Sequence, residues 1–339
     1  MSNPLVAVVI LNWNGRAFLE KFLPLVETHT PAWVDVVVAD NGSTDGSVSW
    51  LRSAYADVQI IELPENMGFA GGYNAALEMV DARYFVLLNS DMEVTPRWIE
   101  PVIDLMESNP SLAACQPKIR SYDRPAYFEY AGASGGYLDH FGYPFCRGRI
   151  FDTLEQDLGQ YDDPVQVFWA TGACLFIRAD VFRQLGGFDE RFFAHMEEID
   201  LCWRIHNAGY HVMVCPRSVV YHVGGGTLPK ASPQKTYLNF RNSLWILVKN
   251  LPAGTLCRAL LVRTVLDKLA AVKFLFSGHL RDCLAVFRAH VSLYADFRRM
   301  RQAAKDIPPE LPKMMMKRSI VMAYHLKGRK TYTKLVAKA

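Results

Sequence analysis

A regular alternation of apolar runs and helical patterns fills the first 110 residues, and it restricts the folds open to the chain. Apolar runs at 5–12, 34–39, 58–63 and 84–88 predict buried strands, and helical patterns separate them. A strand–helix–strand rhythm of this kind predicts a mainly parallel sheet with helices on both faces. The predicted fold class is therefore α/β.

Polar residues directly after these strands are the first candidates for a ligand site. Asn12 and Asn14 follow the first run, Asp40 the second, and Ser90 and Asp91 the fourth. In open α/β sheets, ligands bind beyond the carboxyl ends of the strands. Asp40 can accept a hydrogen bond from a nucleotide base or a ribose hydroxyl. The alternative is a turn that caps the next helix, because an Asn-Gly pair follows it.

A glycine-rich motif, Asn66-Met-Gly-Phe-Ala-Gly-Gly-Tyr-Asn74, precedes the third helical pattern. Gly68 and Gly72 would let a diphosphate approach the backbone N–H groups at a helix start. The motif is not the dinucleotide fingerprint, and the sequence contains no P-loop Gly-Lys-Ser/Thr. Close packing of the helix on a strand is the alternative.

Two carboxylates past the fourth strand point to a metal ion. Asp91 and Glu93 can hold a hard cation on a diphosphate, since Mg²⁺ often takes one or two protein carboxylates and completes its shell with water and phosphate. His222 ends another apolar strand beside glycines. An imidazole ligand would favour Mn²⁺.

Three acids within four residues, Glu197, Glu198 and Asp200, open a helix after an aromatic turn. Acids favour helix N-termini, where they offset the dipole. A carboxylate in a shaped and partly dry site can also have a raised pKa and act as a general base. Asp200 is assigned to a salt bridge, because Arg204 lies at i+4.

The rest of the chain divides by composition. Residues 121–163 are rich in Tyr, Gly and Asp, and they predict an insertion or lid within a domain spanning 1–235. An amphipathic helical region at 236–306 and a basic tail at 307–339 follow. From Ala295 onward, 12 Lys or Arg stand against 3 Asp or Glu. This C-terminal third is predicted either to lie on an anionic membrane surface or to pack on the catalytic body.

Neither a signal peptide nor an apolar stretch of 18 residues is visible, so no membrane-spanning helix is predicted. The seven cysteines are scattered without metal-type spacing, which is typical of reduced thiols in the cytosol.

Taken together, the motifs resemble the family 2 glycosyltransferases of the GT-A fold. The resemblance spans residues 5–225 and is strongest to the rhamnosyltransferase-like bacterial branch that builds surface polysaccharides. The motifs that carry it are Val-Val-Ile-Leu-Asn-Trp-Asn, Asp-Asn-Gly-Ser-Thr-Asp, Asn-x-Gly-Phe-Ala-Gly-Gly-x-Asn, Leu-Asn-Ser-Asp, Thr-Gly-Ala, Gly-Gly-Phe-Asp-Glu-x-Phe-Phe, Glu-Glu-Ile-Asp-Leu-x-x-Arg and His222.

The resemblance implies a Rossmann-like, mixed and mainly parallel sheet with flanking helices, plus a C-terminal helical extension. It implies inverting transfer of a sugar from a nucleotide-diphosphate donor, with Glu198 as the base. Residues implied in nucleotide or donor binding are Asn12, Asn14, Asp40, Asn66, Gly68, Gly72, Asn74, Ser90 and Asp91. Implied ligands of a Mn or Mg ion are Asp91, Glu93 and His222. Residues implied in acceptor binding or support are Trp169, Thr171, His195 and Glu197.

Two departures from the family pattern affect this site. Asn89 replaces the first aspartate of the D-x-D element, and Glu198 stands where aspartate is more usual. The single remaining carboxylate predicts a modest affinity for the metal.

The implied partners are the nucleotide sugar and a glycan or lipid-linked acceptor, with no nucleic acid. The expected location is the cytoplasm, with possible peripheral contact on the inner face of the membrane. Two rival hypotheses stay open. A sugar nucleotidyltransferase shares this topology but needs a glycine-rich basic loop near the first strand, where only Gly15 and Arg16 occur. The other rival is a non-catalytic scaffold tethered to the membrane.

Overall fold

The computed structural model describes residues 5–224, 232–302 and 312–337. Its strands are β1 (Val6–Asn12), β2 (Val34–Asp40), β3 (Gln59–Glu62), β4 (Tyr84–Asn89), β5 (Met92–Val94), β6 (Leu112–Ser121), β7 (Gly136–Leu138), β8 (Pro144–Cys146), β9 (Arg149–Ile150), β10 (Thr153–Leu154), β11 (Val165–Gln166), β12 (Cys174–Arg178) and β13 (His211–His222). Its helices are α1 (Arg16–His29), α2 (Ser47–Ala54), α3 (Gly68–Glu78), α4 (Glu100–Glu107), α5 (Ala179–Gln184), α6 (Glu197–Asn207), α7 (Pro233–Asn250), α8 (Ala253–Phe276), α9 (Leu280–Gln302), α10 (Ile320–His325) and α11 (Tyr332–Val336).

A mixed sheet forms the centre of the protein, with strand order β11-β13-β6-β12-β4-β1-β2-β3 and β5 paired to β13. Strand β1 runs parallel to β2 and β4, and β2 runs parallel to β3. Strand β12 is antiparallel to both of its neighbours, β4 and β6. Residues of β1 and β4 are buried almost throughout, as expected of strands that helices cover on both faces. The predicted α/β class is confirmed.

The insertion at 121–163 contains a second sheet, with antiparallel order β10-β9-β8-β7. The C-terminal segment 312–337 is attached to it. Met316 N–H donates to the carbonyl of Leu138 at 2.8 Å, and the amide of Ile320 donates to the Asp139 carboxylate at 2.9 Å. Tyr332 stacks on Tyr137 with ring centroids 5.4 Å apart. The described part of the predicted basic tail is therefore packed on the insertion.

Helices α7, α8 and α9 pack on the catalytic body. A buried ion pair on α8, Arg263 with Asp267, links them to the insertion: Tyr143 Oη donates to Asp267 at 2.8 Å, and Arg263 donates to the carbonyl of Phe141 at 3.2 Å. Arg263 also donates to Ser243 Oγ of α7 at 2.7 Å. Burying charges is tolerable here because each finds a hydrogen-bonding partner. None of the described helices is both long and apolar enough to cross a membrane.

Candidate active site

The carboxyl ends of β1 and β2 hold a polar pair. Asn12 and Asp40 are register partners, and Asn12 Nδ2 donates to Asp40 Oδ2 at 2.9 Å. The amide of Ser43 donates to the other carboxylate oxygen at 2.8 Å. Asn12 Oδ1 is buried without a hydrogen-bond partner, and a Cβ at Gly15 would lie 2.5 Å from it and 3.1 Å from Ser90 Oγ. Two polar oxygens therefore converge at a backbone position that carries no side chain.

Asn14 lies beside the Asn12–Asp40 pair and connects the two turns that follow β1 and β2. It has a left-handed φ of 50°, which asparagine tolerates better than most residues. Its side-chain oxygen accepts from the Thr44 amide at 2.8 Å, and its own amide donates to Ser43 Oγ at 2.9 Å. The turns after β1 and β2 are thereby joined, so Asn12, Asn14, Asp40 and Ser43 form one structural unit.

The glycine motif is filled by protein atoms, in contrast to the predicted diphosphate cradle. A Cβ at Gly68, whose φ is 74°, would lie 2.6 Å from Phe193. A Cβ at Gly72 would lie 2.9 Å from Asn41 Nδ2 and 3.0 Å from Leu11 Cδ1. The glycines allow α3 to approach the sheet and the Phe193 backbone closely. Close packing, the alternative reading of this motif, is correct for Gly68 and Gly72.

The two asparagines of the motif have structural partners as well. Asn66 Oδ1 accepts from the Gly68 amide at 2.9 Å. Asn74 Nδ2 donates to the carbonyl of Phe188 at 2.9 Å, and its Oδ1 accepts from the Phe188 amide at 2.9 Å. Asn74 thus holds the Gly-Gly-Phe turn that leads to the acids, and its donor contact stays a prediction.

A histidine between two carboxylates lies where β4 ends and β13 ends. His222 Nε2 is 3.2 Å from Asp91 Oδ1, and its Nδ1 is 3.3 Å from Glu129 Oε2. All three side chains are buried. Burial alone would lower the pKa of His222, but Glu129 and Asp91 outweigh it and raise that pKa to about 10. Burial likewise opposes ionisation of Glu129, yet the His222 charge and the Ala131 amide keep its pKa below the ordinary value.

Asp91 and His222 make a side-chain contact, with Nε2 3.2 Å from Oδ1. Ligands about 2.1 Å from an octahedral ion and at right angles stand about 3.0 Å apart, close to the distance observed here. A metal-binding histidine usually places its other nitrogen against a carboxylate, as His222 does with Glu129. No group of three acid, His or Cys side chains suited to a metal occurs among the described residues. The pair therefore fits an ion whose remaining ligands are water and phosphate oxygens.

The Glu93 side chain projects from the face of β5 that does not carry His222, which corrects its predicted place in the metal site. In the β13–β5 pairing, Glu93 lies opposite Tyr221, and Met92 lies opposite His222. Directly opposed residues of an antiparallel pair share a face, and successive residues alternate. Glu93 and His222 therefore project from different faces. Glu129, in the insertion, is the second carboxylate beside His222, and it contacts Nδ1, the ring nitrogen away from Asp91.

The segment 192–198, here named the acid loop, leads into α6 with an unusual backbone. Phe193, His195 and Met196 all have positive φ, between 64° and 72°. Such conformations in residues other than glycine cost about 1–3 kcal/mol each and gather at functional sites. The strain places Glu197 and Glu198 at the N-terminus of α6.

Both glutamates carry a buried oxygen, Oε2, without a hydrogen-bond partner. Burial raises the pKa of Glu198 to about 7, against backbone N–H groups at the helix start that lower it. Burial and the charge of Glu198 raise the pKa of Glu197 well above its usual range. A pair in this environment holds one proton near neutral pH, so one carboxylate can accept a proton while the other donates a hydrogen bond.

The third acid, Asp200, is a structural anchor, as predicted. It pairs with Arg204 at 2.9 Å. Lys249 and Asn250 of α7 donate to it at 2.7 and 2.9 Å. The prediction of an i+4 salt bridge therefore holds, and the two α7 partners extend it.

Asn242 of α7 fixes the acid loop, and sequence reasoning did not identify it. Its Nδ2 lies 3.0, 2.9 and 2.7 Å from the carbonyl oxygens of Phe192, Ala194 and His195. The side chain is fully buried. One sequence signal was present, because Asn242 precedes the apolar run Leu-Trp-Ile-Leu-Val and a buried amide needs partners.

The predicted acceptor residues have mixed environments. Burial lowers the pKa of His195 to about 4, and the Lys235 charge acts in the same direction, so the ring is neutral at pH 7. Trp169 is buried, donates from Nε1 to the Tyr137 carbonyl at 3.0 Å, and packs on Gly136. The insertion covers the ring of Trp169, so of its two predicted roles, acceptor binding or support, the structure favours support.

The Thr171–Ala173 turn connects the two acidic groups. Asn89 N–H, two residues before Asp91, donates to the Ala173 carbonyl at 2.9 Å. A Cβ at Gly172 would lie 3.8 Å from the Glu198 Cβ. Thr171 holds the turn through its hydroxyl, which accepts from the Ala173 amide at 3.2 Å. Glu198 thus borders this turn at Gly172, and the chain just before Asp91 is hydrogen-bonded to it at Ala173.

Comparison with known proteins agrees with this architecture. Glycosyl transferase family 2 matches residues 7–186, more than half of the chain, and the match ends before the acid loop. The chain is 28% identical over 229 residues to the N-acetylglucosaminyl-diphospho-decaprenol L-rhamnosyltransferase of Mycobacterium tuberculosis, a similarity that covers 63% of this chain and 75% of that protein.

Two solved structures are similar in fold. Mannosyltransferase PcManGT from Pyrobaculum calidifontis, in complex with GDP-Man and Mn²⁺, matches with a TM-score of 0.51 and 17% identity over 90% of this chain and 85% of that one. GalNAc-T7 with UDP, GalNAc and Mn²⁺ matches with a TM-score of 0.56 and 15% identity over 74% of this chain and 49% of that one. This chain thus spans about half the length of GalNAc-T7.

The family match covers β1 to β12 of the central sheet, and the solved structures reproduce the arrangement of that sheet and its helices. The chain belongs to glycosyl transferase family 2 and has the GT-A fold.

Proposed function

We propose that this glycosyltransferase moves a sugar from a nucleotide-diphosphate donor to a hydroxyl group by inverting single displacement, with Glu198 as the general base. The observation that carries the proposal is the Glu198 carboxylate: Oε2 has no partner, the pKa is about 7, and the side chain borders the turn whose Ala173 carbonyl accepts from the amide of Asn89, two residues before Asp91. A base with a pKa near the working pH is the most effective kind.

Relatives guide the choice of substrates to test. The M. tuberculosis relative is named for L-rhamnosyl transfer to N-acetylglucosaminyl-diphospho-decaprenol. We therefore propose a lipid-linked or glycan acceptor in the synthesis of cell-surface polysaccharide, with rhamnose as the first donor sugar to try. A lipid-linked acceptor lies at a membrane, so the proposal includes a peripheral contact of the protein with the membrane surface.

The nucleotide end of the donor is assigned to the pocket of Asn12, Asn14, Asp40 and Ser90. Asn12 Oδ1 offers a buried acceptor with no partner of its own, suited to a base N–H. Unpaired buried acceptors are costly, so such an atom favours a ligand that supplies a donor.

Asp91 and His222 are proposed to hold a divalent cation, Mn²⁺ or Mg²⁺, through one carboxylate oxygen and Nε2. Because the pKa of His222 is about 10 without an ion, the cation would have to displace the Nε2 proton. When bound, such an ion would stabilise negative charge on the departing nucleoside diphosphate. Glu129 contacts Nδ1 of His222 and directs Nε2 toward Asp91. This fixes the ring orientation that a metal ligand needs.

The acid loop supplies the proton chemistry. Glu198 accepts the proton of the attacking hydroxyl, and its carboxylate lies at the N-terminus of α6, where backbone N–H groups favour its ionised form. The pKa of Glu197 is also raised, by burial and by the charge of Glu198, and in its protonated form Glu197 can donate a hydrogen bond to the acceptor. Neutral His195 lies at the same loop with Nε2 unpartnered, where it orients neighbouring groups without adding charge.

Transfer should depend on pH through Glu198. The base must be ionised, and its pKa is about 7, so kcat/KM should rise with pH and level off above about 7. Each pH unit below this value should lower kcat/KM about tenfold, because the ionised fraction falls in proportion. The profile is measured from pH 5.5 to 9 at saturating cation, with nucleotide affinity recorded across the same range as a control. A flat profile over this range rules Glu198 out as the base.

Metal binding separates Glu129 from Glu93. Glu129→Gln should weaken Mn²⁺ binding about 10- to 100-fold, the usual effect of losing a carboxylate behind a histidine ligand. Glu93→Gln is the matched control and should leave the affinity unchanged, because its side chain leaves the other face of β5. Calorimetric titration of Mn²⁺ with nucleoside diphosphate present gives both values. The reverse pattern contradicts the assignment.

A further inference from the structure

An apolar stripe runs along the outer face of α8. Its members recur at helical spacing, four or three residues apart, and all are exposed: Leu261, Val265, Leu269, Val272 and Phe276. The opposite face holds the buried Arg263, Asp267 and Ala271. Phe276 is 86% exposed at the end of the helix. The stripe is therefore not used in packing α8 on the body.

Helix α9 carries a second exposed stripe with the same spacing. It consists of Leu280, Leu284, Phe287, Val291 and Tyr294, while Val286, Ala289 and Leu293 face inward. Only residues 277–279 separate the two helices, so Phe276 and Leu280 flank the turn of one helical hairpin, residues 253–302. Exposed apolar surface on this scale marks an interaction site.

The charges on this hairpin have one sign. Within 253–302, which the structure describes throughout, the exposed charged residues are Arg258, Lys268, Lys273, Arg281, Arg288, Arg298 and Arg299. The acidic side chains of the hairpin are paired with protein groups: Asp267 is buried against Arg263, and Asp282 accepts from Thr236 Oγ1 at 2.5 Å. Asp296 is partly buried. The hairpin therefore offers hydrocarbon and positive charge together.

We propose that the outer face of the α8–α9 hairpin binds the surface of an anionic lipid bilayer. Apolar side chains enter the boundary between headgroups and acyl chains, and the basic side chains meet lipid phosphates. The all-basic exposed charge favours an anionic bilayer over an uncharged protein surface. This inference rests on the proposed function, because a lipid-linked acceptor would be delivered at the same surface.

The proposed contact uses the α8–α9 hairpin without the basic tail, whereas the sequence predicts a contact of the whole C-terminal third with the membrane. Residues 312–337 are attached to the insertion through Leu138, Asp139 and Tyr137, so their basic residues sit on a different part of the protein. Variants in the two regions therefore discriminate between the two contacts.

Vesicle flotation of the full chain tests the proposal. The wild type should float with phosphatidylglycerol vesicles and much less with phosphatidylcholine vesicles. Lys273→Gln with Arg281→Gln should lower partitioning roughly 30-fold, from about fivefold for each basic residue near the surface. Phe276→Ser with Leu280→Ser should lower it at least roughly 10-fold. All four positions are exposed, so folding should persist, which circular dichroism checks.

Controls match each change. Leu158→Ser removes an equally exposed apolar side chain from the insertion, and Lys317→Gln with Arg318→Gln removes two exposed charges from the C-terminal segment. Both should float like the wild type. Loss of flotation in the C-terminal variant but not in the hairpin variants overturns the proposal. So does a lipid-free dimer that the hairpin variants dissociate, because a second copy then covers this face.

Donor turnover without vesicles separates this inference from the proposed function. Hairpin variants should release nucleoside diphosphate at the wild-type rate. If the wild-type protein floats but turns over no donor, the proposed function is contradicted and the proposed membrane contact of the hairpin still stands.

Discussion

Replacing Glu198 by glutamine should lower the rate of sugar transfer about 10³- to 10⁴-fold, near the upper end for loss of a general base. Glutamine keeps the shape of the side chain but cannot take the acceptor proton. The nucleotide site at Asn12 and Asp40 lies on β1 and β2, whereas Glu198 lies on α6. Nucleotide affinity should therefore stay within about twofold of the wild type. Steady-state kinetics and calorimetry give the two values. Turnover near the wild-type rate would exclude Glu198 as the base.

The same variant should be more stable than the wild type at pH 8. The folded-state pKa of Glu198 is raised from 4.5 to about 7, so ionisation opposes folding. Below about pH 4.5 the Glu198 carboxyl is protonated in the folded and the unfolded state, so its ionisation does not affect stability. Between about pH 4.5 and 7 it ionises more readily in the unfolded state, which lowers the free energy of unfolding, and above about pH 7 this loss is constant. Each pKa unit corresponds to about 1.4 kcal/mol, so Glu198→Gln should gain about 3 kcal/mol at pH 8.

Urea unfolding at pH 8 and pH 5 measures this gain, which should shrink strongly at the lower pH. Glu78→Gln is the control, because Glu78 is an exposed helical glutamate outside the site. It should change neither activity nor stability by more than about 0.5 kcal/mol. A loss of stability at pH 8 in Glu198→Gln would mean that the carboxylate has structural partners that stabilise its ionised form.

Replacing Asn242 by leucine should reduce kcat roughly 100-fold and lower the free energy of unfolding by about 3 kcal/mol, because buried carbonyl groups lose their donor. These are the carbonyls of Ala194 and His195, while the carbonyl of Phe192 keeps the Arg241 side chain and the Ala194 amide as donors. Without the amide, the positive-φ loop can relax, and Glu198 moves away from the acceptor. A displacement of about 1 Å at a reacting group is enough for a loss of this size.

A double-mutant cycle distinguishes positioning from general instability. If Asn242 acts through Glu198, Asn242→Leu should have little further effect on transfer once Glu198 is glutamine. Asn239→Leu on the same helix is the matched control and should leave kcat unchanged. Additive losses in the double variant would show that Asn242 contributes to stability alone.

The sheet could be predicted from sequence because its strands are continuous apolar runs bounded by polar residues. The predicted runs at 5–12 and 84–88 agree with β1 and β4 to within one residue. Asp91 and His222 could be singled out for the same reason, since both stand at strand ends. Their contact at 3.2 Å joins residues far apart in the chain, and only the fold reveals it.

Other parts of the site depend on long-range contacts that no local pattern contains. Glu129 reaches His222 from the insertion, and Asn242 reaches the acid loop from α7. Gly68 is needed for packing against Phe193, which follows more than a hundred residues later. From sequence, Trp169 is a candidate for the acceptor site, but in the fold its ring is packed against Gly136 of the insertion. In each case, one residue type permits two roles, and the neighbour that decides between them is distant in sequence.

Product analysis of one reaction mixture tests most directly the claim that the protein transfers a sugar by single displacement. The purified protein is incubated with nucleotide sugars, beginning with an activated rhamnose, together with Mn²⁺ and a lipid-linked N-acetylglucosamine acceptor. Released nucleotides are separated by chromatography, and the new linkage is read by proton NMR. Glycosyl transfer by single displacement predicts nucleoside diphosphate and a glycosidic bond with inverted anomeric configuration. Pyrophosphate release, a retained configuration, or no turnover of any donor would contradict it.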